Sequence, residues 1–140
     1  IDSCSHRGCM KGNGKTIAVL ASSLENITPR SNEKLANEIL EDGGLLISEY
    51  NVGHIVTRGC FPSRNRILSG ISDGIIVVEA AQKSGALITA DLGMEQGKNI
   101  FAIPGNIYSD MSRGCHKIIK EGAMEHKKEQ HKNEAYEYKP

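Results

Sequence analysis

The stretch Gly74-Ile75-Ile76-Val77-Val78 decides the fold class of this 140-residue chain. It is a continuous apolar run rich in β-branched residues, which is typical of a strand. A strand without polar alternation is covered on both faces, as the strands of a parallel sheet are. Similar short runs occupy residues 16–20, 45–48 and 99–103. The sequence therefore predicts four strands.

Helical patterns lie between these strands. Ser31 or Asn32 can cap a helix that Gly43-Gly44 ends, and Pro62 suits the first turn of a helix over residues 61–70. Ser84-Gly85 opens a further helix that Gly97 ends. Two further helices are predicted over residues 1–11 and 115–121. Alternating strands and helices predict an α/β fold with a mostly parallel sheet.

Composition describes an ordinary globular chain with a zero net charge, from 17 basic and 17 acidic residues. No apolar run approaches the length of a membrane span, so no membrane association is predicted. The low density of cysteines, four in all, indicates reduced thiols in the cytoplasm. Cys4, His6 and Cys9 lie close together but lack a second pair at ligand spacing, so no metal site is predicted.

The segment from Tyr50 to Ser72 is a local exception to the balanced charge, because it holds no acid and three arginines. Arg64 and Arg66 stand beside the predicted helix start at Phe61. Helix N-termini and guanidinium groups both favour a phosphate. An equally good interpretation is a solvated arginine pair on a surface helix.

Residues Ser84, Gly85 and Thr89 resemble an anion cradle, with a glycine for close backbone approach and hydroxyls at a helix start. The alternative is that Ser84 only caps its helix. Neither a G-x-G-x-x-G nor a Walker pattern follows a strand. No nucleophile and base can be paired from spacing, so no catalytic residue is predicted.

A series of motifs in this chain resembles the DprA/Smf family of bacterial DNA-processing proteins. The motifs run in family order from Ile1 to about Ala123, and together they are highly specific. They are Ile1-Asp2 with His6-Arg7-Gly8, Thr16-Ile17-Ala18-Val19-Leu20, Ser48-Glu49-Tyr50, Phe61-Pro62-Ser63-Arg64-Asn65-Arg66-Ile67, Val77-Val78-Glu79-Ala80, Ser84-Gly85-Ala86-Leu87-Ile88-Thr89-Ala90, Glu95-Gln96-Gly97, Ile103-Pro104-Gly105 and Ser112-Arg113-Gly114-Cys115-His116.

The resemblance implies a three-layer Rossmann-like domain with helices on both faces. It implies a cytoplasmic, homodimeric protein that binds single-stranded DNA, protects incoming strands and helps load the RecA recombinase in natural transformation. It implies no enzymatic activity and no cofactor. The resemblance places phosphate contacts on Arg64, Asn65 and Arg66 and on Ser84, Gly85 and Thr89, and it implies that Phe61 borders the pocket.

The same resemblance predicts that the chain is a piece of a longer protein. The family's domain begins with a strand and a glycine-rich loop, and these would precede Ile1. We therefore expect a Rossmann-like domain over residues 1–123 that lacks its first strands. Residues 124–140, rich in charge, are expected to form a disordered tail.

Two other functions are compatible with this architecture. A nucleoside-monophosphate phosphoribohydrolase would carry a P-G-G-x-G-T loop, but Ser84-Gly85-Ala86 stands in its place. A sensor domain would bind a small nucleotide in the same crevice. Fold alone does not decide between these functions.

Overall fold

The computed structural model describes residues 1–125, and for Met124 and Glu125 it describes only the backbone. The chain divides into two compact units, of which the first is Ile1–Ile67 and the second begins at Leu68. Parallel strands and helices alternate in both units, which confirms the predicted α/β class. The expected single domain over residues 1–123 stays a prediction.

The first unit holds three helices and a two-stranded parallel sheet. Helix α1 is Asp2–Lys11, β1 is Ile17–Val19, α2 is Glu33–Glu41, β2 is Leu45–Ile47, and α3, Cys60–Ile71, begins in this unit. The two strands pair from Ile17 opposite Leu45 to Val19 opposite Ile47. Every predicted helix and strand of this unit is present, with ends shifted by one or two residues.

Helix α2 packs one side against the small sheet. Leu35 and Ile39, four residues apart, are buried with Ala18 of β1 and form the core of this unit. Gly43 has a φ of +78°, which suits glycine and ends the helix. The Asn32 side chain does not cap α2, so the predicted capping is wrong. A 3-10 turn over Arg30–Asn32 leads into the helix instead, and the Asn32 Oδ1 accepts a hydrogen bond from Ser3.

Within its described residues, 68–125, the second unit holds a three-stranded parallel sheet with two further helices. Strand β3 is Gly74–Val77, α4 is Gly85–Glu95, β4 is Asn99–Ala102, α5 is Arg113–Lys120, and β5 is Met124–Glu125. The sheet has the order β3-β4-β5. Its core contains Val77, Ala80, Leu87, Ala90, Ile100, Ala102, Cys115 and Ile118.

Strand β5 was not predicted, because the expected tail began at residue 124. Phe101 and Ala102 of β4 pair with Met124 and Glu125 through the backbone. Such a short strand carries almost no sequence pattern, and it forms because the edge of β4 offers unpaired backbone groups. The rest of the expected tail, residues 126–140, lies outside the described residues.

Candidate nucleic-acid interface

Arg64 stands in the second turn of α3 and points its guanidinium at the end of β1. The Arg64 Nη1 donates a hydrogen bond to the carbonyl oxygen of Val19, and Nε donates to the Asn65 Oδ1 at 3.1 Å. The remaining N–H groups of this guanidinium have no partner among residues 1–125. Since the end of β1 holds the side chain in place, these donors are oriented in advance.

The charge of Arg64 is poorly compensated. The side chain is half-buried, and burial lowers its pKa because a charged group loses hydration there. The negative charge of Asp2 works in the opposite direction. Within residues 1–125 Arg64 makes no ion pair. A half-buried cation without a carboxylate partner is well suited to an anionic ligand.

Arg66 of the same motif is in a different setting. Its Nη2 forms an ion pair with Oε1 of Glu49, the second residue after β2. Both side chains of this pair are exposed. Exposed pairs contribute little to stability and are screened by salt, so a phosphate can compete with Glu49 for Arg66.

Phe61 lies at the start of the same helix and is 40% exposed. Such a ring is available for contact with a ligand's apolar face. Asn65 is half-buried and its side-chain oxygen is already taken by Arg64, which leaves its NH₂ group as a donor. Asn65 therefore orients Arg64 and can add a donor of its own.

Ser84 and Gly85 lie at the beginning of α4 in the second unit, and Thr89 follows one turn later in the same helix. The Ser84 hydroxyl caps the helix and accepts a hydrogen bond from the Ala86 N–H at 3.3 Å. A Cβ placed on Gly85 would meet no atom within 4 Å, so the space beside this backbone is open. The Leu87 N–H donates to the Ser84 carbonyl oxygen at 3.1 Å, whereas the Gly85 N–H is a first-turn donor that has no partner among the described residues. The cap and an anion contact at Gly85 are therefore compatible.

The predicted site residues thus fall into two groups. Phe61, Arg64, Asn65 and Arg66 belong to the first unit, and Ser84, Gly85 and Thr89 belong to the second. Within the first group, Asn65 contacts Arg64 directly, whereas Arg66 contacts Glu49. That both groups contact one DNA strand stays a prediction.

Sequence reasoning missed a polar cluster around Cys60, the first residue of α3. The buried Cys60 Sγ lies 3.4 Å from the Thr57 N–H nitrogen, the Thr57 hydroxyl and Nε2 of His54. The Tyr50 ring stacks on His54 with ring centroids 4.3 Å apart. These hydrogen bonds, chiefly from Thr57 and then His54, lower the pKa of Cys60 to about 6.

Cysteine and histidine positions show no metal centre in the described part of the chain. No group of three or more potential ligands occurs in residues 1–125. All four cysteines are free thiols. His6 contacts a hydroxyl, since its Nδ1 lies 2.7 Å from the Thr16 Oγ1.

No helix among residues 1–125 has both the length and the apolar character that crossing a membrane requires. This result concerns only the helices described above.

Comparison with known proteins identifies the chain's relatives. The family model described as DNA recombination-mediator protein A matches residues 1–137. The chain belongs to this family. The resemblance to DprA/Smf proteins is therefore confirmed.

Curated relatives come from several bacteria. Protein Smf of Escherichia coli K12 is 46% identical over 124 residues, which cover 89% of this chain and 33% of that protein. The DNA processing protein DprA of Streptococcus pneumoniae is 44% identical over 123 residues, covering 88% of this chain and 43% of the relative. The chain thus spans between a third and less than half of these relatives.

Solved structures of relatives share the fold. The crystal structure of DprA from Streptococcus pneumoniae has a TM-score of 0.83 at 42% identity and covers 89% of this chain and 44% of its own. DNA processing protein A from Helicobacter pylori, whose structure is described as giving insight into a unique single-stranded DNA binding mode, has a TM-score of 0.74 at 33% identity. That match covers 79% of this chain and 51% of the other. The expected Rossmann-like fold is confirmed.

Proposed function

We propose that this chain binds single-stranded DNA through its phosphate backbone and acts in DNA processing during natural transformation. The observation that carries the proposal is Arg64, a half-buried guanidinium with unpaired donors and no carboxylate partner among residues 1–125. A protein that takes up strands of any sequence must hold phosphates, since these carry no sequence information.

The names of the relatives support the same assignment. They include DNA processing protein DprA and a relative described by its single-stranded DNA binding mode. In this proposal the protein works in the cytoplasm as a homodimer, protects incoming strands, and helps load the RecA recombinase without catalysing a reaction itself. Phe61, Asn65 and Arg66 assist Arg64, and Ser84, Gly85 and Thr89 supply a second set of phosphate contacts.

The low aromatic content agrees with a backbone-directed mode. Two phenylalanines, four tyrosines and no tryptophan leave little material for a long base-stacking platform. Affinity must then come from charge, and it should fall steeply with salt.

An anisotropy titration of a labelled oligo-dT tests the proposal. The variant Arg64→Ala should weaken binding to every single-stranded sequence. It should also lower the slope of log K against log salt concentration by about 0.7, the value for one phosphate contact to a single strand. Arg64→Lys keeps the charge but loses the guanidinium fork, so it should retain most of the slope with lower affinity.

The matched control is Arg7→Ala, which removes an exposed arginine from α1 in the same unit. It should leave both affinity and slope unchanged. A slope that Arg64→Ala does not alter would refute Arg64 as a phosphate ligand. Binding of AMP with no binding of DNA would indicate a nucleotide pocket and overturn the proposed function.

A further inference from the structure

Helix α5 has a strongly basic outer side. Gly114, Cys115 and Ile118 are buried in the second unit. Arg113, Lys117 and Lys120 follow the spacing i, i+4, i+7 and therefore share the opposite side. Residues 113–120 contain no acid, so these side chains give the helix a charge of +3.

A cleft of about 320 Å³ lies along this side of the helix. Among the described residues, its lining consists of Gln82, Arg113, His116, Lys117 and Lys120. Every lining residue has a hydrogen-bond donor, and none is acidic or aliphatic. Donors and positive charge in such a lining favour an anion.

Backbone contacts place the cleft at the carboxyl edge of the three-stranded sheet. The Gly114 N–H donates to the Ala80 carbonyl at 2.8 Å, and Ala80 lies just beyond the end of β3. The His116 Nε2 lies 3.0 Å from the carbonyl oxygen of Gly105, just beyond β4. Ligands of open α/β sheets bind at this edge.

The positive charge of the cleft is available to a ligand. Arg113 pairs with Asp110 at 3.1 Å and Lys117 pairs with Glu121 at 3.7 Å, and all four side chains are about half exposed or more. Such pairs are weak and open to competition. Lys120 makes no ion pair with any residue of 1–125.

We propose that the α5 cleft is a second binding surface for the phosphodiester backbone of single-stranded nucleic acid, separate from the Arg64 group. This inference rests on the proposed function. Gln82 belongs to the same loop as Ser84, so a strand held at the start of α4 can continue into the cleft. Arg113 and Lys120 lie roughly 10 Å apart along the helix axis, at 1.5 Å per residue, which allows contact with more than one phosphate.

Phosphodiester is favoured over an acidic peptide because of the lining. Peptide recognition gains most of its energy from buried apolar anchors, and no described residue of the lining has an aliphatic side chain that would form such a pocket. Phosphate recognition needs cations and N–H donors, and every described residue that lines the cleft supplies a donor.

The double variant Lys117→Gln/Lys120→Gln tests the proposal. Its control is Lys11→Gln/Lys34→Gln, which is closely matched. Lys34 pairs with Glu38 at i+4 as Lys117 pairs with Glu121, and Lys11 and Lys120 both stand in the last turn of a helix. Both variants remove two charges, and glutamine keeps the helix propensity of lysine.

Oligo-dT of increasing length is titrated at several salt concentrations. With long oligonucleotides, the slope of log K against log salt concentration should be smaller by about 1.4 in the cleft variant, because two phosphate contacts are lost. The difference in affinity between long and short oligonucleotides should also become smaller. The control should keep the full slope. An equal loss in both variants, or no loss in either, would overturn the proposal.

A second readout separates this proposal from the proposed function. Backbone amide NMR signals of residues 113–120 are followed during a titration with tripolyphosphate. If the wild-type chain binds no oligonucleotide, the proposed function fails. If the NMR signals of residues 113–120 still shift with tripolyphosphate in that case, the cleft binds free phosphate and the nucleic-acid assignment is wrong. If these signals do not shift, the cleft is not an anion site.

Discussion

Arg64 and Arg66 lie two positions apart on α3, and this spacing separates their roles. Successive residues of an α-helix are rotated by about 100°, so these side chains leave nearly opposite sides of the helix. Arg64 reaches the Val19 carbonyl and becomes half-buried, whereas Arg66 reaches Glu49 in solvent. The sequence motif predicted a basic helix start, but only packing against β1 distinguishes the two arginines.

Cys60 should titrate far below an ordinary thiol. Hydrogen bonds from Thr57 and His54 lower its pKa to about 6, whereas a thiol in the unfolded chain titrates near 9.0. Ultraviolet absorbance of the thiolate should therefore show a step near pH 6 that Cys60→Ser abolishes. Thr57→Val removes the hydroxyl donor but keeps the backbone N–H, so it should move the step upward.

The lowered pKa of Cys60 also makes the stability of the fold depend on pH. Because the folded state binds fewer protons than the unfolded state between about pH 6 and 9, the contribution of Cys60 rises with pH across that window. It is fully present above pH 9.0 and is lost as the pH falls through about 6. A thiolate step seen only near pH 9, unchanged by Thr57→Val, would contradict this environment.

At the scale of elements, the start of α5 is held very close to the end of β3. A Cβ on Gly114 would lie 2.7 Å from the Ala80 carbonyl oxygen and 2.8 Å from that of Ala81. Both atoms are backbone and cannot rotate away. Gly114→Ala should therefore destabilise the protein by about 1–3 kcal/mol, the usual cost of overpacking.

The control for this prediction is Gly8→Ala in the interior of α1, where an added Cβ meets nothing within 4 Å. Alanine has the higher helix propensity, so this change should stabilise by about 0.5–1 kcal/mol. Chemical denaturation of both variants measures the difference. Equal stability of Gly114→Ala and the wild type would show that α5 can move away from Ala80.

Element prediction succeeded where hydrophobic periodicity is strong. The run at Gly74 predicts strand β3 correctly, and the buried pair Leu35 and Ile39 predicts helix α2. The expectation that this strand is covered on both faces is wrong, because Ile76 is 53% exposed. Element prediction failed for β5 and for the capping of α2, because both depend on a neighbour distant in sequence. The partner of β5 is β4, and the Asn32 side chain contacts Ser3 instead of its own helix.

At the scale of the whole molecule, the net charge is zero, but basic residues are concentrated in two segments of the sequence. Residues 50–72 carry three arginines without an acid, and residues 113–120 carry three basic side chains without an acid. Acidic residues elsewhere balance the sum. Local charge, rather than net charge, governs attraction of a polyanion at distances within the Debye length.

Two truncations separate the contribution of strand β5 to thermal stability from that of the residues that follow it. Residues 126–140 contain no aliphatic side chain larger than that of Ala135. Their deletion should leave the thermal midpoint nearly unchanged, since they can bury little apolar surface. Deletion from Met124 onward also removes the backbone pairing with Phe101 and Ala102, and should lower the midpoint by several degrees.

Differential scanning calorimetry of the two truncated chains measures both effects. A large loss on removal of residues 126–140 alone would show that this segment packs against the rest of the protein. Equal midpoints for the two truncations would show that β5 contributes nothing to stability.

The sequence by itself determined the α/β class, the order of nearly all elements and the family, because apolar periodicity, glycine breaks and short motifs are local features of the chain. It also placed the basic motif at the start of α3 and the serine cap at the start of α4. Only the tertiary structure decided which arginine is buried, that Cys60 sits among three hydrogen-bonding groups, and that α5 borders a basic cleft with Gln82. These features join residues far apart in sequence, and their energies depend on burial and distance, which exist only after the chain has folded.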